Sequence, residues 1–167
     1  GLFDNASVTA RGAAGGGEIL VGGGFQGADL AVRNAAMTHV APDATLDASA
    51  TAAGDGGRVI VWADDTARVH GGVFARGGPQ GGAGGLIETS GKRFLDVSGI
   101  NVSAAGQYPG AWVLDPYNIE VVAGAGTTNN GGAPAFTPGG DNSQVGADLI
   151  VAQLDAGTSV TLNTAGA

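Results

Sequence analysis

Residues 56–116 read GGRVIVWADDTARVHGGVFARGGPQGGAGGLIETSGKRFLDVSGINVSAAGQYPGAWVLDP, and this stretch decides the fold. Short apolar runs recur in it behind glycines. Gly56-Gly57 precede Val59-Ile60-Val61-Trp62, Gly84-Gly85 precede Leu86-Ile87, and the single Gly110 precedes Trp112-Val113-Leu114. Each run is too short for a helix and is bounded by turn-forming residues, so each reads as a strand. Runs that recur every few tens of residues indicate coils stacked on one another.

The same grammar extends outward. Residues 6–10 (ASVTA) alternate, and Gly15-Gly16-Gly17 lead into EILV at 18–21; residues 44–48 (ATLDA) lead through a second glycine cluster into RVIV at 58–61. Taking Val8, Leu46, Val73 and Val102 as equivalent gives steps of 38, 27 and 29 residues. The last two suit one coil of a parallel β-helix. The longer first step implies an excursion off the stack within residues 22–42, near 25–40. There Asp29 can cap one or two helical turns over 30–36, while residues 37–40 can equally form a strand before the turn at Pro42. The expected architecture is all-β, a parallel β-helix or β-solenoid. Coils fill residues 1–122, a long glycine- and proline-rich loop lies near 123–145 (123–147 with its flanks), and 148–167 begin the next coil. Residues 148–154 read as a helical turn or a short strand. Both ends stop in mid-pattern, which is expected of a piece of a longer repetitive chain.

Alternation assigns faces, because successive strand residues point to opposite sides of a sheet. Ile19/Val21, Val59/Val61, Ile87/Thr89 and Trp112/Leu114 are expected inward. Glu18, Arg58 and Glu88 then face out, as charges should. So do Leu20, Ile60, Trp62 and Val113, and an apolar row on the outside is either covered or used as a contact surface. The expected cover is the 25–40 excursion or the 123–145 loop.

Composition narrows the function. The chain has 167 residues, 33 of them glycine, with a net charge of −8 and only 7 basic residues, scattered. Nucleic acid binding requires a basic stripe to neutralise phosphate, so nucleic acid is excluded as a partner; an anionic membrane surface is disfavoured likewise. No apolar run is long enough to span a bilayer, and no basic, hydrophobic leader begins the sequence. Cysteine is absent, which removes disulfides and thiolate metal sites and is compatible with export of an unfolded chain.

Catalysis and cofactors find little support in the residues. Polysaccharide hydrolysis needs two carboxyls facing each other across a cleft, and Asp64-Asp65, Asp47, Glu88, Asp96 and Asp115 are the candidates; turn formation and solvated faces account for them more simply. His39 and His70 stand 31 residues apart with no ligand spacing around either. The glycine-rich runs lack the aspartate of calcium-binding solenoid repeats and the Gly-Lys-Ser/Thr of a phosphate loop. Ser90 has no histidine near it in sequence, and G-x-S-x-G is not matched. No cofactor, metal or catalytic residue is expected.

The string from Gly56 through residues 100–121 (INVSAAGQYPGAWVLDPYNIEV) resembles a recurring module of filamentous haemagglutinin-type exoproteins, the large adhesins exported by bacterial two-partner secretion. Val61-Trp62-Ala63-Asp64, Glu88-Thr89-Ser90-Gly91-Lys92 and Leu114-Asp115-Pro116-Tyr117-Asn118-Ile119 carry the resemblance. Weaker similarity extends upstream through Gly23-Gly24-Phe25-Gln26-Gly27 and downstream through Leu154-Asp155-Ala156-Gly157. The resemblance implies a right-handed helix, secretion to the bacterial cell surface through an outer-membrane transporter partner, and a stalk whose loops contact a host protein or glycan. The family's secretion domain carries N-P-N motifs, and this chain has no Asn-Pro. A section of the downstream shaft is therefore expected, structural or adhesive and non-catalytic. The alternatives are a specific binding module for a host protein, haem carrier or glycan through 25–40 or 123–145, the stalk of a toxin-delivery protein and, more remotely, a carbohydrate-active enzyme.

Overall fold

The computed structural model describes residues 1–125 and 143–164. The chain passes repeatedly through the same order of three strands. The first pass is β1 (Ser7–Thr9), β2 (Glu18–Val21) and β3 (Met37–Val40); the second is β4 (Thr45–Asp47), β5 (Arg58–Ala63) and β6 (Thr66–Val69). The third is β7 (Gly72–Phe74), β8 (Leu86–Gly91) and β9 (Phe94–Asp96), and the fourth begins with β10 (Asn101–Ser103), β11 (Gly110–Leu114) and β12 (Ile119–Val122). After β13 (Ser143–Gly146) come one helix, α1 (Ala147–Asp155), and β14 (Thr158–Leu162).

Like strands of successive passes pair in parallel and build three sheets, in the orders β1-β4-β7-β10, β2-β5-β8-β11-β14 and β3-β6-β9-β13-β12. The first sheet sets Val8, Leu46, Val73 and Val102 opposite one another in one row. In the second, Ile19, Val59, Ile87, Trp112 and Val160 form an equivalent row. The core lies between the inward faces of all three sheets, with Leu46, Val73, Val59, Ile87, Trp112, Val69 and Leu95 among its members. Stacked rows of like aliphatics bury their methyl groups against the same residue type one strand away, which favours the parallel register over a slip that would turn the row outward. Trp112 is the one aromatic member of this core among the described residues, and its indole N–H donates to the buried Thr89 hydroxyl at 3.0 Å. That bond removes the cost of an unpaired polar group at both residues.

The glycines ahead of the second-sheet strands have a steric cause. A Cβ at Gly57 would lie 1.9 Å from the Gly17 carbonyl oxygen, one at Gly85 2.0 Å from that of Gly57, and one at Gly110 2.3 Å from that of Gly85. A side chain at any step of this column would push neighbouring passes apart.

Three features differ from the sequence expectation. The excursion covers residues 22–36, because Met37–Val40 belong to the third sheet as β3. No helix forms over 30–36; Asp29 Oδ1 instead accepts the Ala31 N–H at 2.9 Å in a turn, and the helical geometry within the excursion is a 3-10 turn at Phe25–Gly27. The third sheet also breaks chain order at its end, with β13 beside β9 and β12 outside β13. Most of the 123–145 loop lies outside the described residues. Within 148–154 the helical reading holds, since α1 replaces the first-sheet strand that another pass would supply, and its Leu149 and Ile150 pack against the core.

Candidate functional site

The outward face of the second sheet carries a dense set of polar contacts. Register places Leu20, Ile60, Glu88 and Val113 in one outward row, and Trp62 beside Ser90 in the next. This row is not an open contact surface. Ile60, Glu88, Trp62 and Val113 are buried, and only Leu20, 36% accessible, is exposed. Residues 22–36 form a flap over it. Gly27 has φ +62° and sits against the Trp62 indole, where an added Cβ would come within 2.5 Å of the ring. Glycine therefore supplies both the left-handed backbone and the clearance.

The flap is held at its base and along its length. The Ala35 N–H donates to the Gly22 carbonyl at 2.7 Å, closing the flap on itself, and the Asp64 N–H donates to the Ala35 carbonyl at 2.9 Å. Asp64 Oδ1 accepts from both the Trp62 indole N–H and the Asn34 amide, each at 3.0 Å, and the same Asn34 amide donates to the Gly27 carbonyl at 2.9 Å. One carboxylate thus orients the tryptophan and ties the flap to it.

Beneath the flap lie two carboxyls from neighbouring passes. Gln26, itself left-handed at φ 54°, donates its backbone N–H to Glu88 Oε2 at 3.0 Å and its side-chain amide to Asp115 Oδ2 at 3.0 Å. Left-handed backbone is unfavourable for a residue with a Cβ, and the hydrogen bonds at both ends of Gln26 offset it. Burial pushes the Glu88 carboxyl up to about 7, reinforced by Asp115 and opposed by the Gln26 and Ser90 hydrogen bonds. Asp115 receives only one of its bonds in this way; its Oδ1 is buried and has no partner among the described residues. The expectation that Glu88 faces solvent is corrected here. It does point away from the core, but a segment 62 residues earlier in the chain covers it.

The other sequence candidates have local duties. Asp65 is paired with Arg93, whose hydrogen bond holds its carboxyl below the usual range. Asp47 and Asp96 each accept the N–H two residues on, from Ser49 at 2.9 Å and Ser98 at 3.0 Å, turning the corners after β4 and β9. His39 and His70 meet with ring centroids 5.9 Å apart, and His70 Nε2 stands 3.7 Å from Asp96 Oδ2. Sequence reading missed this second cluster. Its signal was present: His39, Arg68 and Asp96 each precede the core valine of their pass (Val40, Val69, Val97), so register aligns them in one outward row of the third sheet. Among the described residues, no group of three His, Cys, Asp or Glu is arranged to hold a metal ion, and no helix is long and apolar enough to cross a membrane. What the two clusters can do chemically is hold a proton on the buried Glu88 and orient an imidazole.

No family model matches the chain, and no curated protein matches it.

Proposed function

We propose that this chain is a section of a right-handed parallel β-helix, serving as a structural or adhesive shaft in a secreted, cell-surface bacterial exoprotein of filamentous haemagglutinin type. The observation that carries the reading is register: through the first three passes each of the three sheets gains one parallel strand per pass, and equivalent side chains fall into continuous rows. Such an arrangement gains stability additively from each pass and its interfaces and can be extended without redesign, which is what a spacer requires. The whole exoprotein would have an outer-membrane two-partner secretion transporter as its export partner and a host protein or glycan as its contact.

The carboxylates that a carbohydrate-cleaving reading would use are engaged elsewhere. Glu88 and Asp115 are committed to Gln26 under the flap, and Asp64 and Asp65 to Trp62, Asn34 and Arg93. This favours a passive role for the stack. The test is excision of one pass in register. Asn101 pairs with Gly72, so removing residues 72–100 joins equivalent points of the first sheet. A shaft predicts a secretable, β-rich product that melts cooperatively at a lower temperature, with host-cell attachment of the parent protein retained. An unfolded product contradicts the solenoid, and a folded one whose parent loses attachment favours the binding-module reading.

A further inference from the structure

The hydrogen bonds that tie residues 23–34 of the flap to the sheets run to carboxyls. Gln26 donates to Glu88 and to Asp115, and Asn34 donates to Asp64, each at 3.0 Å. Other backbone bonds of this segment are internal, from Gly27 to Gly24, Ala28 to Phe25 and Val32 to Asp29. Its apolar side chains anchor it little. Leu30 is fully exposed, Phe25 and Val32 are half-buried, and among the described residues the core takes no member from 23–34. A segment with so few buried apolar contacts opens at a lower free energy than the strands beneath it.

Glu88 is the most deeply buried acceptor of the three, and its hydrogen-bond donors are neutral, the Gln26 N–H and the Ser90 hydroxyl. Asp115 of the next pass opposes its ionisation. Arg58 of the preceding pass favours it, but that side chain is about half exposed and pairs with Glu18 at 3.1 Å. Of the flap's own charges, Asp29 accepts the Ala31 N–H in its turn and Arg33 is exposed, while Asp64 is engaged by Trp62 and Asn34. A Glu88 carboxylate under the closed flap thus meets no ion-pair partner among the described residues, beside an Asp115 whose Oδ1 is already unpartnered. Lifting the flap hydrates both groups and removes the penalty of burial.

We infer that residues 23–34 are a proton-controlled latch, closed while Glu88 keeps its proton and opening as a unit when Glu88 ionises, so that Ile60, Trp62 and Val113 are uncovered without unfolding of the sheets. The closed form holds a proton that the open form releases, so rising pH favours opening. The effect runs from the ordinary carboxyl range up to about 7, where Glu88 titrates under the closed flap, and flattens above it. The base of the flap stays attached, because the Asp64 and Asp65 N–H groups of the second pass hold the Ala35 and Ala36 carbonyls at 2.9 and 3.0 Å.

Hydrogen exchange of the Gln26 amide and the Trp62 indole N–H, each corrected for its intrinsic rate at the same pH, reads the open population. From pH 5 to pH 8 the protection of both should fall by roughly fifty- to a hundredfold and then level off. Urea well below the unfolding midpoint should leave these two sites unchanged while the buried amides of β5 and β8 lose protection, since local opening exposes little surface. Glu88→Gln should hold the flap's protection constant across the pH range. Should that variant not fold, Asp115→Asn takes its place; without the neighbouring charge the fall in protection should shrink by at least about twofold. Protection independent of pH, a fall equally large in the folded variant, or flap sites that follow the urea dependence of the strands would each overturn the latch.

Discussion

The substitution Glu88→Gln isolates the buried carboxyl under the flap. Glu88 is fully inaccessible, and burial raises it from 4.5 to about 7. The folded state therefore holds a proton that the unfolded chain has released. The stability this contributes is fully present below the unfolded value of 4.5 and is lost as pH rises through about 7. A shift of that size is worth roughly 3 kcal/mol, most of it falling between pH 5 and pH 8. The substituted amide has nearly the same shape, keeps a carbonyl oxygen for the Gln26 N–H, and does not ionise. The two proteins should be within about 1 kcal/mol of each other at pH 5, and the variant more stable by roughly 2–3 kcal/mol at pH 8. Urea denaturation followed by far-ultraviolet circular dichroism at pH 5, 6, 7 and 8 reads the difference directly, since titrating groups not coupled to Glu88 cancel between the two proteins. Parallel pH profiles would refute the reasoning, because they would mean that Glu88 titrates as a solvated carboxyl and that the flap does not cover it.

Three further substitutions test neighbouring parts of the structure. Gly27→Ala forces a Cβ into both a left-handed backbone and the Trp62 ring; it should cost more than about 1 kcal/mol and expose residues 22–36 to limited proteolysis while the sheets stay protected. Gly85→Ala places a methyl group 2.0 Å from the Gly57 carbonyl oxygen between two passes, and thermal denaturation should show a loss above about 3 kcal/mol. Trp112→Phe fills most of the same space but leaves the buried Thr89 hydroxyl without its donor, so chemical denaturation should report a loss of about 1–3 kcal/mol.

The first and second sheets were legible because their signals are local and repeated. Val8, Leu46 and Val102 sit between polar residues and Val73 recurs at the same spacing, and one to three glycines announce each second-sheet strand. The third sheet was harder to read. Its outward positions hold His39, Arg68 and Asp96, which local pattern assigns to solvent, although Arg68 and Asp96 are buried. The exchange of β12 and β13 could not be read at all, since nothing in a short strand specifies which neighbour it will take. The apolar outward row through Ile60 and Trp62 did announce that something must cover it, but not what. The contacts of Gln26 with Glu88 and Asp115 span 62 and 89 residues, and a glutamine in a glycine-rich loop carries no sign of them. The polar centre of the covered face was therefore invisible until the passes were stacked.

The central claim is that passes far apart in sequence lie in register, one strand spacing apart. The chain has no cysteine, so a single engineered pair tests it cleanly. Glu18 and Arg58 are register partners on β2 and β5 with exposed side chains 3.1 Å apart. Adjacent parallel strands hold opposite Cα atoms about 5 Å apart, within the span of a disulfide. Glu18→Cys with Arg58→Cys should therefore oxidise rapidly and intramolecularly in the folded protein. Glu18→Cys with Leu86→Cys, two strands apart in the same row, should not. Quantitative cross-linking of the first pair alone is the predicted result; failure of the first pair, or equal cross-linking of the second, would contradict the stacking on which the proposed shaft depends.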